Sequence, residues 1–222
     1  MSSNRRRFLA GTGTALSGAL AGCTGFILGN DALEVSANKA TVAQSALDDT
    51  EYEENTVEKV DIERTFEVGG QERTVVASNW QAEYDRSVNV SGFDSFRGAK
   101  FIAFSTPQVE IDIADRTLNP VGDKSHRDLV KLVQDSYEGL EDVTGVGEYT
   151  TSILGSQATV GEYEGEATFA GTGQTVDLTL HVTNPVAHGE DFIVCVGAYP
   201  NYPPLTDGEA DNIETLFGGV EH

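Results

Sequence analysis

The residues best suited to chemistry stand at the front of the chain. Leu20-Ala21-Gly22-Cys23 has the form of a lipobox, in which small residues mark a cleavage point and the thiol behind it carries a lipid. Ahead of it, Asn4-Arg5-Arg6-Arg7-Phe8-Leu9 supplies the paired arginines, Arg5 and Arg6, and the hydrophobic pair, Phe8 and Leu9, of a twin-arginine export signal. Only 15 residues separate Arg7 from Cys23, and glycine, serine and threonine dilute them. A transmembrane helix needs about 20 mostly apolar residues, so this stretch is too short and too polar to span. A positive start, a short apolar run and small residues at a cut are what a signal peptide requires. Twin-arginine signals are addresses read by a receptor. Cleavage before Cys23 is therefore expected to leave a lipidated amino end. Each lipid CH₂ buried in a membrane contributes about 0.8 kcal/mol, so two chains hold firmly where one does not.

Elsewhere the candidates are weaker. Cys195 and His181 are the pair that would suit nucleophilic catalysis, and they are expected on consecutive strands. Cys195, however, lies within Phe192-Ile193-Val194-Cys195-Val196, where a thiol behaves as a small buried hydrophobe. Reactive thiols need an exposed, electropositive setting. His126, His181, His188 and His222 are scattered, and neither HExxH nor CxxC spacing occurs, so no metal site is expected. Asp112 with Asp115, or Asp207, Glu209 and Asp211, lack the spacing of a calcium loop and read as solvated acids. Glycine-rich phosphate loops and the Gly-x-Ser-x-Gly elbow are also missing, and no cofactor is expected. Asn89-Val90-Ser91 is an N-glycosylation acceptor on a polar stretch. Asn79, Trp80, Glu83, Thr106, Gln108 and Asn119 cluster at expected strand ends and in a long connection. Binding sites concentrate in such places, which makes them the candidate binding surface.

Charge restricts the partners. The 222 residues carry 36 acidic and 14 basic side chains; removing Arg5, Arg6 and Arg7 with residues 1–22 leaves 11 bases, a net charge of −25. Phosphate binding needs a basic surface, which excludes nucleic acid, and headgroup adhesion by charge alone fails for the same reason. A chain so acidic repels itself in dilute buffer. At ~1 M salt, where the Debye length is about 3 Å, the repulsion is screened. With its few lysines and its twin-arginine lipobox, the chain is similar to haloarchaeal proteins. Apolar residues make up 39% of it in regular patterns, which argues for a folded domain rather than disorder. With Cys23 lipidated, Cys195 has no intramolecular partner.

The elements that must position these residues follow from periodicity. Val60, Ile62, Phe66 and Val68 share one parity before Gly69-Gly70, a hairpin signal. The return strand places Val76, Trp80, Ala82 and Tyr84 on one face. Thr41 to Leu47 reads as a short helix and Ala99 to Thr106 as a strand. Ser125 to Leu140 carries a helical stripe of Leu129, Leu132, Val133, Tyr137 and Leu140. Four strands follow: Tyr149 to Leu154, Ala158 to Phe169, Thr175 to Thr183 and Phe192 to Tyr199. Their short links favour an antiparallel meander. On the third strand the alternation of Val176, Leu178, Leu180 and Val182 with polar residues predicts one wet face. A helix from about Asp207 buries Ile213, Leu216, Phe217 and Val220, with Thr206-x-x-Glu209 as its capping box. The expected fold is α+β, a curved antiparallel sheet packed by two longer amphipathic helices. The expected organisation is a signal peptide at 1–22, a lipidated tether at 23–32 and a single domain at 33–222.

Four segments carry a family resemblance: Asn79-Trp80-Gln81-Ala82-Glu83-Tyr84, Ser105-Thr106-Pro107-Gln108-Val109, Asn119-Pro120-Val121-Gly122 and Val196-Gly197-Ala198-Tyr199-Pro200. In them the chain from about Leu33 onward resembles an uncharacterised family of haloarchaeal exported lipoproteins, which brings no activity with it. In element order it also resembles the PsbP-like fold. The expectation is a non-enzymatic surface lipoprotein, held to the membrane through Cys23 and bound to another envelope component. The alternative is a small extracytoplasmic hydrolase with an unrecognised site. A solute-binding protein, the third possibility, needs two lobes that this length does not supply.

Overall fold

The computed structural model describes residues 32–68, 71–88, 96–108, 111–113, 116–118, 140–168, 175–201 and 207–222. The strands are β1 (Leu33–Ser36), β2 (Thr41–Val42), β3 (Glu53–Val68), β4 (Gln71–Val88), β5 (Phe96–Pro107), β6 (Ile111–Ile113), β7 (Arg116–Leu118), β8 (Leu140–Ile153), β9 (Ser156–Thr168), β10 (Thr175–Thr183), β11 (Val186–His188), β12 (Asp191–Pro200) and β13 (Val220–Glu221). The helices are α1 (Gln44–Thr50) and α2 (Glu209–Gly218).

The main sheet runs β1-β4-β5-β12-β10-β9-β8, with β3 on β4 and β11 on β12. The pairings β4–β5, β5–β12, β12–β10, β10–β9 and β9–β8 are antiparallel. β12 is bonded on both edges, in keeping with an apolar run on both parities. The stretch of β3 and β4 from Glu63 to Val76 belongs to one compact unit, and Val35–Ile62 with Ala77–His222 to another. Within the first, Thr65 and Thr74 join hydroxyls at 3.1 Å.

The core of the second unit lies on one face of the sheet. Tyr84, Phe101, Ala103, Val160, Ile193 and Cys195 meet Ile213, Leu216 and Phe217 of α2. Each such aliphatic or aromatic side chain contributes about 1.5–3 kcal/mol by leaving water. Phe101 packs edge-on against Phe217 at 5.6 Å. α2 approaches β12 closely because Gly197 has no side chain; a Cβ there would lie 2.7 Å from Ile213 Cδ1. A smaller apolar cluster, Ile102, Val182, Val194 and Val196, occupies the opposite face.

This architecture overturns the expectation of a helix-packed α+β fold. The fold is mostly β, with two short helices among the described residues in place of two long packing ones. The physical reason is strand length: β8 begins at Leu140, and β4 runs 18 residues, so ladder bonding absorbs segments read as helix end or connection. The remainder of the expected Ser125 helix lies outside the described residues. The wet face of β10 is corrected as well, because Thr179, His181 and Thr183 are buried, His181 between Tyr149 and Tyr199 and the Thr183 hydroxyl on the Cys195 N–H. So is the capping box. The N-cap of α2 is Gly208, which makes no side-chain cap bond. Glu209 is buried, pairs with Arg86 and accepts from Tyr52 Oη at 3.1 Å and Asn212 Nδ2 at 3.2 Å.

Candidate functional site

The chemistry-bearing residues that the fold assembles lie at one end of β5 and β12. β11 and β12 form a tight hairpin through Gly189 and Glu190, pairing His188 directly with Asp191. Gly189 takes φ +59° there, the left-handed value that primed hairpin turns require at their first position. From the other side, β13 pairs with β2 and delivers His222 to the same place.

Asp191 is the centre of the arrangement, 1% exposed. Its Oδ2 accepts from the Asn38 main-chain N–H at 2.8 Å, from Asn38 Nδ2 at 3.1 Å and from His222 Nε2 at 3.0 Å. A carboxylate is an acceptor only, so His222 carries its proton on Nε2 and turns Nδ1 outward. That Nδ1 meets His188 Nδ1 at 2.9 Å, the rings standing 75° apart. Gln108 Nε2 donates to the main-chain oxygen of Asp191 at 2.8 Å, fixing the turn that carries both residues. Next to Asn38, Lys39 places its ammonium 4.2 Å from the centre of the Trp80 ring. The edge is thus a buried carboxylate, two linked imidazoles and a cation–aromatic pair.

Of the residues expected to form a binding surface, Gln108 belongs to this site and Trp80 adjoins it through Lys39. Asn79 and Thr106 are buried; Asn79 donates to the Val60 carbonyl at 3.0 Å and serves the fold. Glu83 accepts from Gln81 at 2.7 Å and faces Lys100 at 3.6 Å. Asn119, Asn89, Cys23, the lipobox residues Leu20, Ala21 and Gly22, and the signal residues Arg5, Arg6, Phe8 and Leu9 lie outside the described residues. Sequence reasoning missed Asp191, His188 and His222, the last two having been set aside as scattered. The available signal was His188-Gly189-Glu190-Asp191, a histidine and a carboxylate flanking a two-residue turn.

His181 and Cys195 are not a catalytic pair. His181 faces Gly197 in the ladder, one pair beyond Val182–Val196. Its Nδ1 meets Tyr149 Oη at 3.1 Å and its Nε2 meets Tyr199 Oη at 3.0 Å. Burial pulls its pKa down to about 4 despite the opposing charge of Glu214, and burial raises both tyrosines. One neutral imidazole can satisfy both neighbours, one nitrogen donating and the other accepting. Burial pushes the Cys195 thiol up to about 12, which leaves no thiolate at neutral pH. A separate open groove of about 550 Å³ runs beside α1, where Asp48, Glu51, Glu53 and Glu54 surround Tyr52.

A family model described as a domain of unknown function, DUF6517, matches residues 39–221. The chain belongs to the DUF6517 family. The match takes in Asp191, His188, Gln108 and Trp80 of the site and stops one residue short of His222. Neither a curated protein nor a solved structure matches this DUF6517 chain.

Proposed function

We infer that this DUF6517 protein is a lipid-anchored module on the outer face of a cell membrane, binding another envelope component rather than transforming a substrate. The observation that carries the reading is Leu20-Ala21-Gly22-Cys23 behind Asn4-Arg5-Arg6-Arg7-Phe8-Leu9. Residues 24–32 separate the lipidated cysteine from β1, and nine residues reach about 30 Å at full extension, so the domain would work close to the bilayer. The net charge of −22 suits solubility in concentrated salt, as in the haloarchaeal setting. A binding role is favoured by the inertness of Cys195 and the enclosure of His181. The histidine edge, flanked by Trp80, is the surface for that binding.

The direct test is Cys23→Ser, followed by fractionation in high salt. The substituted protein should leave the membrane fraction, and unchanged retention would refute the anchoring. The hydrolase reading is favoured by one observation, the carboxylate-oriented imidazole of His222, which is how a general base is held. Its free nitrogen faces His188 instead of a hydroxyl or thiol nucleophile, so binding remains the better reading.

A further inference from the structure

We propose that His188 and His222 bind a divalent transition-metal ion through their Nδ1 atoms, the ion taking the place of the proton that the two imidazoles share. The inference stands on the described side chains and is independent of lipid anchoring. Two imidazole nitrogens facing each other at 2.9 Å repel unless a proton or a cation lies between them. Metal–imidazole bonds are about 2.0–2.1 Å, and two of them at a right angle set their nitrogens about 2.9 Å apart. The separation matches, but ring centroids 5.1 Å apart set the two nitrogens almost head-on, as in an N–H···N bond, so the half-buried His188 ring would turn to bring both lone pairs onto one ion. Imidazole nitrogens suit copper, nickel and zinc alike, and copper(II) heads the affinity order, which makes it the probe of choice.

A second observation points the same way. Asp191 accepts from Nε2 of His222, the arrangement in which a carboxylate orients a metal-bound histidine and makes it more basic. Asn38 in turn holds the carboxylate with two bonds, and Gln108 holds its backbone. His222 is enclosed while His188 is half-buried, so an ion would enter from the His188 side. Among the described residues no third histidine, cysteine or carboxylate joins the pair. The remaining positions of the ion would therefore be taken by water or by a donor from a bound molecule, which makes the site an open one.

The test is titration of the chelator-stripped full chain with copper(II) alone, followed by calorimetry and electron paramagnetic resonance. The expected result is one ion per chain, with hyperfine splitting from two nitrogens. His188→Ala and His222→Ala should each weaken binding by about 100-fold or more, and Asp191→Asn by about 10–100-fold. Asp177→Asn, on an exposed acid of β10, should change nothing. Because Asp191 is buried, its variant is compared only if its melting transition survives; His188→Ala, at a half-buried position, carries the decision otherwise. Equal affinity in the native and His188→Ala chains, or a copper signal without nitrogen splitting, would mean that the imidazoles share only a proton, and the proposal would fall.

Discussion

Gly197→Ala isolates the packing of α2 against β12. The new methyl would meet Ile213 Cδ1 at 2.7 Å, Cγ2 at 2.8 Å and Cγ1 at 3.0 Å. Ile213 is 0% exposed, so it cannot swing into solvent, and either the helix or the strand must shift. Overpacking of this kind costs about 1–3 kcal/mol. Against it, the alanine restricts the unfolded chain and returns about 0.4–1 kcal/mol. The net expectation is a loss of about 1–2 kcal/mol. Ile213→Ala alone should lose about 2–5 kcal/mol by opening a cavity. In the double variant the clash disappears and the added methyl fills part of the hole. It should therefore be no less stable than Ile213→Ala, leaving a coupling of about 1–3 kcal/mol between the two sites. Urea denaturation at fixed high salt, with unchanged slopes, measures all four corners of this cycle. A Gly197→Ala loss under about 0.5 kcal/mol, or additivity within that margin, would refute the close-approach argument.

Two further outcomes follow from burial. His181 stays neutral in the fold down to about pH 4, whereas its unfolded form takes up a proton below about 6.5. Its contribution is complete above pH 6.5 and is lost as pH falls toward 4, about 2–3 kcal/mol by pH 4.5. His181→Gln should lack that share of the acid sensitivity, and identical pH–stability slopes for the two chains would count against it. For Cys195, a Cys23→Ser chain should resist iodoacetamide while folded and react stoichiometrically in urea; labelling of the folded protein faster than its unfolding would contradict the enclosed thiol.

The strands were legible where alternation or a turn residue marked them. β10 carries the bounds read from its alternation, Thr175 and Thr183, and β12 extends the apolar run by one residue at each end. Long strands misled because ladder bonding tolerates residues that no periodicity flags: β8 passes through Gly145 and Gly147 with shifts in register. The polar side of β10 looked solvent-facing because Thr179, His181 and Thr183 match a wet pattern. Tyr149, Tyr199 and the Cys195 main-chain N–H, all from other strands, supply their partners. The site was hidden for a related reason. His188 and Asp191 are local, but Asn38 and His222 reach them from far along the chain, and no spacing rule encodes such a meeting.

That meeting has a kinetic meaning. β2 cannot find β13, nor Asn38 and His222 share one carboxylate, until Val220 and the residues after it have left the ribosome. Closing so long a loop slows folding. A chain stalled before Val220 would still pair β1 with β4, but β2 would lack its ladder partner and the Asp191 carboxylate one of its donors.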